Sequence, residues 1–286
     1  MKQLLLFFLL SIPAVAQKSF IVKDASTNEP IAYTAVFTEN GSFKINAETD
    51  GSFVIPNEFL NEVFVFDAVG YETKQQLLTD VVLLEPQSEV LDEVVIVPRL
   101  GTKEIKIGSI NTKKETNLLF SESNKGTLLY ATKLDVEAND CIFIKEVILR
   151  TNSKIKNAKF ALKIYSSNQN GEPDELMHDI PIIASAKKGK NTTTVNVEDL
   201  KLQVFSKSIF VVVDQLYLEE NSYYEKYGGK KHKFYEPRIL LNTSNKSNVW
   251  IYYTKEGKWR MINLDADPDY HKEKYLVFQI ELTLTN

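Results

Sequence analysis

Val63-Phe64-Val65-Phe66 is an apolar run closed on both sides by turn-forming residues, and runs of this kind recur along the chain. Such a run is too short for a helix, and its β-branched and aromatic side chains favour a pleated strand. The surrounding block, Thr49 to Thr73, reads as turn, strand, turn, strand, turn, strand, and the expectation is one compact antiparallel sheet. Asp50-Gly51 supplies the first turn, because glycine enters positive φ without a steric penalty. Phe53 and Ile55, two residues apart, lie on one side of a short strand. Gly70-Tyr71 breaks the next run. No stretch shows a helical period beyond a turn near Glu198–Leu200, so the fold class is all-β.

The chain divides into two units. Residues 17–97 begin with a strand at Phe20–Val22, a polar turn at Asp24–Pro30 and a second strand at Ala32–Thr38. Asn40-Gly41 is a hairpin signal. Phe43–Ala47 and the Thr49–Thr73 block follow, and Val81–Leu84 closes the unit as a small β-sandwich. Residues 98–104 are the linker. Residues 105–286 carry nine further strand patterns, which suits a larger jelly-roll-like sandwich. In the clearest, Tyr275–Thr285, Leu276, Phe278, Ile280, Leu282 and Leu284 face one way and Gln279, Glu281 and Thr283 the other. Phe160, Leu162 and Ile164 alternate with Lys163 in the same manner, and Ile209–Val213 is continuous and central. A transmembrane barrel is disfavoured, because only the last strand approaches the length and patterning that a lipid-facing strand needs.

Three motifs carry a resemblance. Asp24 to Ile31 reads D-x-x-T-x-E-P-I, Thr49 to Phe53 reads T-D-G-S-F, and Val69 to Glu72 reads V-G-Y-E. In that order they resemble the carboxypeptidase-regulatory-like domain of exported Bacteroidetes-type proteins. The resemblance implies a seven-stranded transthyretin-like sandwich for the first unit. Ser19-Phe20 stands where that family has a glycine, which implies a shifted first strand. Phe160 to Met177 resembles an uncharacterised second domain found behind it. Val90 to Val97 resembles the segment that follows the same domain in TonB-dependent outer-membrane receptors. Leu91–Val97 therefore has two readings: a structural strand, or an added strand offered to a partner's sheet edge. The family's zinc-peptidase companion has no counterpart here, because none of His178, His232 and His271 has glutamate three residues on.

Lys2, the apolar Leu4–Leu10 and the small residues Ala14 and Ala16 read as a secretory signal peptide over residues 1–16. The expected product is exported to the periplasm, the outer-membrane surface or the medium. No cysteine stands at the cut to take a lipid anchor, and no later segment reaches the length of a membrane span. The one cysteine, Cys141, opens the apolar run Cys141–Ile144 and reads as a buried small hydrophobe. A net charge of −4 with scattered basic residues disfavours nucleic acid.

Candidate sites fall on connecting segments. Leu216–Pro237 reads as a long irregular insertion bearing Tyr223, Tyr224, Tyr227 and Tyr235, rings suited to sugars or a protein surface. Trp250 and Trp259 flank a hairpin near Glu256-Gly257 and join them as candidate binding residues. Asp265, Asp267 and Asp269 are candidate ligands for a structural calcium, beside His271, although the pattern lacks the glycine and terminal glutamate of a helix-loop-helix site. No other cofactor is expected. The function expected is an envelope binding or adhesion module for a glycan or a protein. The alternatives are a glycan-active hydrolase with an acidic pair in the second unit and an accessory to a TonB-dependent receptor. No such pair is singled out among 38 acidic residues.

Overall fold

The computed structural model describes residues 18–87, 100–113, 116–117, 128–137, 141–253, 256–266, 268 and 273–286. Residues 1–16, which carry the expected signal peptide, and Leu91–Val97, Asp267, Asp269 and His271 lie outside them.

Among the described residues seven strands form the first unit: β1 (Ser19–Asp24), β2 (Ala35–Thr38), β3 (Lys44–Asn46), β4 (Ser52–Val54), β5 (Val63–Asp67), β6 (Lys74–Leu77) and β7 (Val81–Leu84). They make two sheets, β4-β1-β7 and β3-β2-β5-β6, and β1 pairs with β7 in parallel. The single sheet expected for Thr49–Thr73 is therefore corrected. β4 and β5 belong to opposite layers, with a 3-10 turn at Asn57–Phe59 between them. The reason is burial: Phe53 and Phe66 meet across the layers with ring centroids 6.0 Å apart, both shielded from water. Two of the sequence motifs touch. Asp24 Oδ1 accepts from the backbone N–H groups of Ser26 and Thr27, and its Oδ2 accepts from the Tyr71 hydroxyl at 3.0 Å.

The second unit begins with β8 (Glu104–Gly108), β9 (Thr116–Asn117), β10 (Leu128–Asp135), β11 (Phe143–Ser153) and β12 (Ala158–Ser167). It continues with β13 (Pro173–Leu176), β14 (Ile182–Ala186), β15 (Gly189–Asn196) and β16 (Ser208–Gln215). β17 (Ser222–Tyr227) and β18 (Lys230–Tyr235) precede β19 (Arg238–Ser244), β20 (Val249–Tyr253), β21 (Lys258–Ile262), β22 (Tyr275–Phe278) and β23 (Ile280–Thr285). One seven-stranded sheet runs β13-β12-β16-β10-β20-β21 with β14 also on β12. The other runs β22-β19-β11-β23-β8 with β15 on β11 and β9 on β19. Successive strands cross between the sheets as in a jelly roll, and the apolar core lies between them. Cys141 is buried in that core. The only helical elements among the described residues are 3-10 turns, one of them at Glu198–Leu200. No helix among the described residues is long and apolar enough to cross a membrane.

Two sequence expectations change here. Tyr275–Thr285 is broken at Gln279, which is buried and not solvent-facing. Its amide donates to the Leu241 carbonyl, its Oε1 accepts from the Asn111 N–H, and its own N–H bonds the Leu240 carbonyl. Thr283, also buried, donates to Glu146 at 2.8 Å. Complete pairing lets polar groups sit inside. Leu216–Pro237 is likewise not irregular. It is a two-stranded hairpin, β17-β18, closed by Gly228-Gly229, both at positive φ as a two-residue turn demands.

Candidate functional site

Strand periodicity sends Phe160, Leu162 and Ile164 of β12 into the core, and so sends Lys163 and Tyr165 out of the opposite face. On the neighbouring β16, Ile209 and Val211 point inward while Phe210, Val212 and Asp214 point outward. That outer face is not left to water. Phe210, Val212, Ala131 and Trp250 make a second small cluster there, with Leu129, Tyr165 and Trp259 packed against it. The unbroken apolar run of β16 thus records burial on both faces.

Between the outer face of this sheet and that of β3-β2-β5-β6 lies a cleft of about 720 Å³. One wall brings Ala35, Phe37, Val65, Thr73 and Gln75 from the first unit. The other brings Leu129, Tyr165, Tyr252 and Trp259 from the second. Trp259 is the hub of the aromatic wall: its ring centroid is 5.7 Å from Tyr165 and 5.1 Å from Tyr252. A further hollow of about 550 Å³ continues past Asp67, lined by Gly70–Thr73 and Leu176.

The floor is charged. Lys44 Nζ lies 3.3 Å from Asp214 Oδ1, and Lys163 Nζ lies 3.6 Å from Asp214 Oδ2 and 3.4 Å from Asp67 Oδ2. Asp214 is only 6% exposed. Burial alone would raise its pKa, but Lys44 and Lys163 outweigh burial and hold it below the usual carboxylate range. Lys163 follows the same logic with the opposite charge: burial opposes its ammonium form, and Asp67 and Asp214 push its pKa upward on balance. The ammonium of Lys44 also lies over the Tyr217 ring, 5.5 Å from its centroid.

Because the four groups come from both units, the cluster fastens one to the other. Backbone contacts reinforce it. Tyr217 N–H donates to Asn46 Oδ1 at 3.0 Å, and Glu219 N–H donates to Glu48 Oε1 at 2.9 Å. Gly70, at φ +85°, presses against the Asp179 carbonyl, where a Cβ would sit 2.6 Å from the oxygen. Beneath the cleft His178 is buried, with Nε2 accepting from the Ile164 N–H and Nδ1 within 2.8 Å of the Ile180 carbonyl. The first bond fixes the proton on Nδ1, so the ring is neutral, and burial lowers its pKa.

The residues singled out from the sequence do not form one site. Trp259 lines the cleft, half-buried. Trp250 does not reach the surface: it is 9% exposed and packs edge-on against Phe210 at 5.5 Å, a core role. Tyr235 is 1% exposed and set edge-on to Tyr217. Both are corrections, and each has a cause within the second unit: Trp250 joins the apolar cluster of Phe210, Val212 and Ala131, and Tyr235 is packed by Tyr217 with its carbonyl held by the Gln215 amide at 3.0 Å. Tyr223 stacks on Phe234 and its hydroxyl accepts from Arg238 at 2.7 Å. Tyr224 is 50% exposed on the hairpin, and the Tyr227 side chain lies outside the described residues. Asp265 is exposed and bridges to Tyr275, while its companions Asp267 and Asp269 lie outside the described residues. Among the described residues no group of acidic, histidine or cysteine side chains is arranged to hold a metal.

Sequence reasoning missed Lys44, Asp67, Lys163, Asp214, Tyr165 and Tyr252. The available signal was local: Lys163 interrupts one apolar alternation and Asp214 ends an apolar run. Only the pairing of β12 with β16, and the packing that brings Lys44 and Asp67 of the first unit against them, makes them neighbours.

The fold and this cleft define an all-β protein of two sandwich units with a charged, aromatic-walled cleft at their junction. No family model matches the chain, and no curated protein is significantly similar to it. Among solved structures it is similar to the cysteine protease and lectin-like domains of a surface-layer-associated protein of Clostridium difficile, at 12% identity and a TM-score of 0.37. That match covers 89% of this chain and 59% of the other. It is also similar to infectious bursal disease virus, Gt strain, at 9% identity and a TM-score of 0.31, over 93% of this chain and 62% of the other. The chain therefore spans less than two thirds of either neighbour.

Proposed function

We propose that this is an exported, non-enzymatic binding protein of the cell envelope whose inter-unit cleft takes a short stretch of glycan. The observation that carries the reading is the Tyr165–Trp259–Tyr252 wall facing polar groups across a cleft of about 720 Å³. Flat rings offer an apolar face to the axial hydrogens of a sugar, while Gln75, Thr73 and the charged floor offer partners for its hydroxyls. The lining carries Glu39, Asp67, Asp174 and Asp214 against Lys44 and Lys163, so the ligand is uncharged or cationic. Export rests on the residue 1–16 pattern, and the regulatory-like resemblance of Asp24–Glu72 supports an envelope setting. The test is a glycan array probed with the intact chain, followed by calorimetry. Trp259→Ala should weaken binding of any hit about tenfold, the loss of one stacking platform. A folded protein with no hit, or a hit indifferent to Trp259, would refute the cleft.

One observation favours a second reading, glycan hydrolysis. Asp67 and Asp214 both contact the Lys163 ammonium, so their oxygens are no further apart than the sum of 3.4 and 3.6 Å. That bound admits the spacing of about 5–5.5 Å used by the paired carboxylates of retaining enzymes and excludes the wide end of the inverting range. Against it, Asp214 is held ionised by two lysines, whereas a general acid must keep its proton. Release of reducing ends from an array hit, abolished by Asp67→Asn, would establish the hydrolase. The receptor-accessory reading rests on Leu91–Val97, and deletion of that segment followed by partner capture is its test.

A further inference from the structure

Among the described residues the β17-β18 hairpin pairs with no other strand. In its register Lys226 stands directly opposite Lys231, with Lys230 next along the strand. Like charges facing each other across a ladder repel, and sequences avoid them unless something neutralises them. Nearer the base the chain supplies its own counter-ions: Lys154, Lys159 and Lys233 pair with Glu225, Glu220 and Glu219. At the tip it does not. Among the described residues no carboxylate forms an ion pair with Lys226, Lys230 or Lys231, and all three are exposed. Lys231 is propped over the exposed Tyr224 ring, 4.1 Å from its centroid. Their chain neighbours apart, nothing among the described residues comes within 4 Å of the side-chain positions at Gly228 and Gly229, so the tip stands clear of them.

We infer that the hairpin tip docks on an anionic, phosphate-bearing lipid surface. The uncompensated positive charge belongs to a chain whose net charge is −4, so the attraction is local and orients the molecule. The three cations are lysines, compact point charges suited to a diffuse layer of headgroups. The one nearby arginine, Arg238, is occupied at the hairpin base by Glu236 and Tyr223, leaving no guanidinium fork at the tip to grip a defined phosphate. An exposed tyrosine beside lysines also matches the water–lipid boundary, where an apolar ring and a polar tip are both satisfied. This docking does not depend on the cleft.

The experiment is flotation of the intact chain with vesicles of phosphatidylcholine alone and with one third phosphatidylglycerol. The native chain should float with the anionic vesicles at low salt, fall away as salt rises, and ignore the neutral ones. A Lys226→Gln, Lys230→Gln, Lys231→Gln triple variant should lose about a hundredfold in partitioning with an unchanged melting temperature. Glu58→Gln with Glu62→Gln, exposed on the first unit, should leave partitioning unchanged, showing that the hairpin and not the overall charge is read. The inference fails if the native chain ignores anionic vesicles at low salt, or if the triple variant binds as well as the native chain. It also fails if single-stranded DNA competes the protein off the vesicles at matched phosphate concentration, which would mark the tip as a nucleic-acid contact.

Discussion

Asp214→Asn removes one charge from the junction and keeps the shape of the side chain. In the native cluster Asp214 is flanked by Lys44 at 3.3 Å and Lys163 at 3.6 Å, and side chains of Lys44 and Asp214 are each 7% exposed. After the change Lys163 still has Asp67, but among the described residues Lys44 retains only the ring of Tyr217, and two buried ammonium groups face a neutral amide. Breaking a buried pair while leaving its partner charged costs about 3–5 kcal/mol, and the expected loss falls in that range. A Lys44→Met, Asp214→Leu double variant should recover much of it, because an apolar pair of similar volume is roughly neutral against a buried ion pair. The assay is urea unfolding followed by tryptophan fluorescence, which reports the second unit through Trp250 and Trp259, and by circular dichroism, which reports both units. A pH series adds a signed check. The folded pKa of Asp214 is depressed, so its contribution is complete above the unfolded value of about 3.9 and disappears as pH falls through the folded value. Asp214→Asn should remove that acid-side slope. A loss below about 1 kcal/mol, the size expected of a solvated surface pair, would refute the claim that this cluster fastens the units.

Further outcomes are expected. Gly108→Ala should destabilise by about 2 kcal/mol or more, because φ is +89° and the new Cβ would meet the Ile280 carbonyl oxygen at 2.4 Å; differential scanning calorimetry measures it. His178→Gln should flatten the stability profile below about pH 6.5. The native ring resists protonation, so the unfolded chain takes up the proton first and stability falls as pH drops below the unfolded value. Cys141, 1% exposed in the core, should react with a thiol reagent only after urea unfolds the chain; fast labelling of the native protein would contradict its burial.

Much of the local structure was readable from side-chain order. Asp50-Gly51 forms its turn with Gly51 at φ +75°, Asn40-Gly41 closes its hairpin, and Phe160, Leu162 and Ile164 face the core with Lys163 opposite. These features depend on neighbours in the chain: a positive φ needs glycine, and a period of two assigns faces wherever one side is buried. Even the helical turn at Glu198–Leu200 lies where its sequence places it. The cleft could not be read that way. Periodicity says that Lys163 leaves the core, but not that Asp67 and Asp214 await it there. Aromatic content says that Trp250 and Trp259 want cover or a ligand, yet Phe210 buries the first while the second lines a wall.

Chain order therefore settles which residues turn, extend and face inward, because those choices are made by sterics and burial within a few residues. The meeting of Lys44 and Asp214, 170 residues apart, belongs to the packing of one sandwich against the other. Long-range desolvation and charge pairing select that arrangement, and no local preference encodes them.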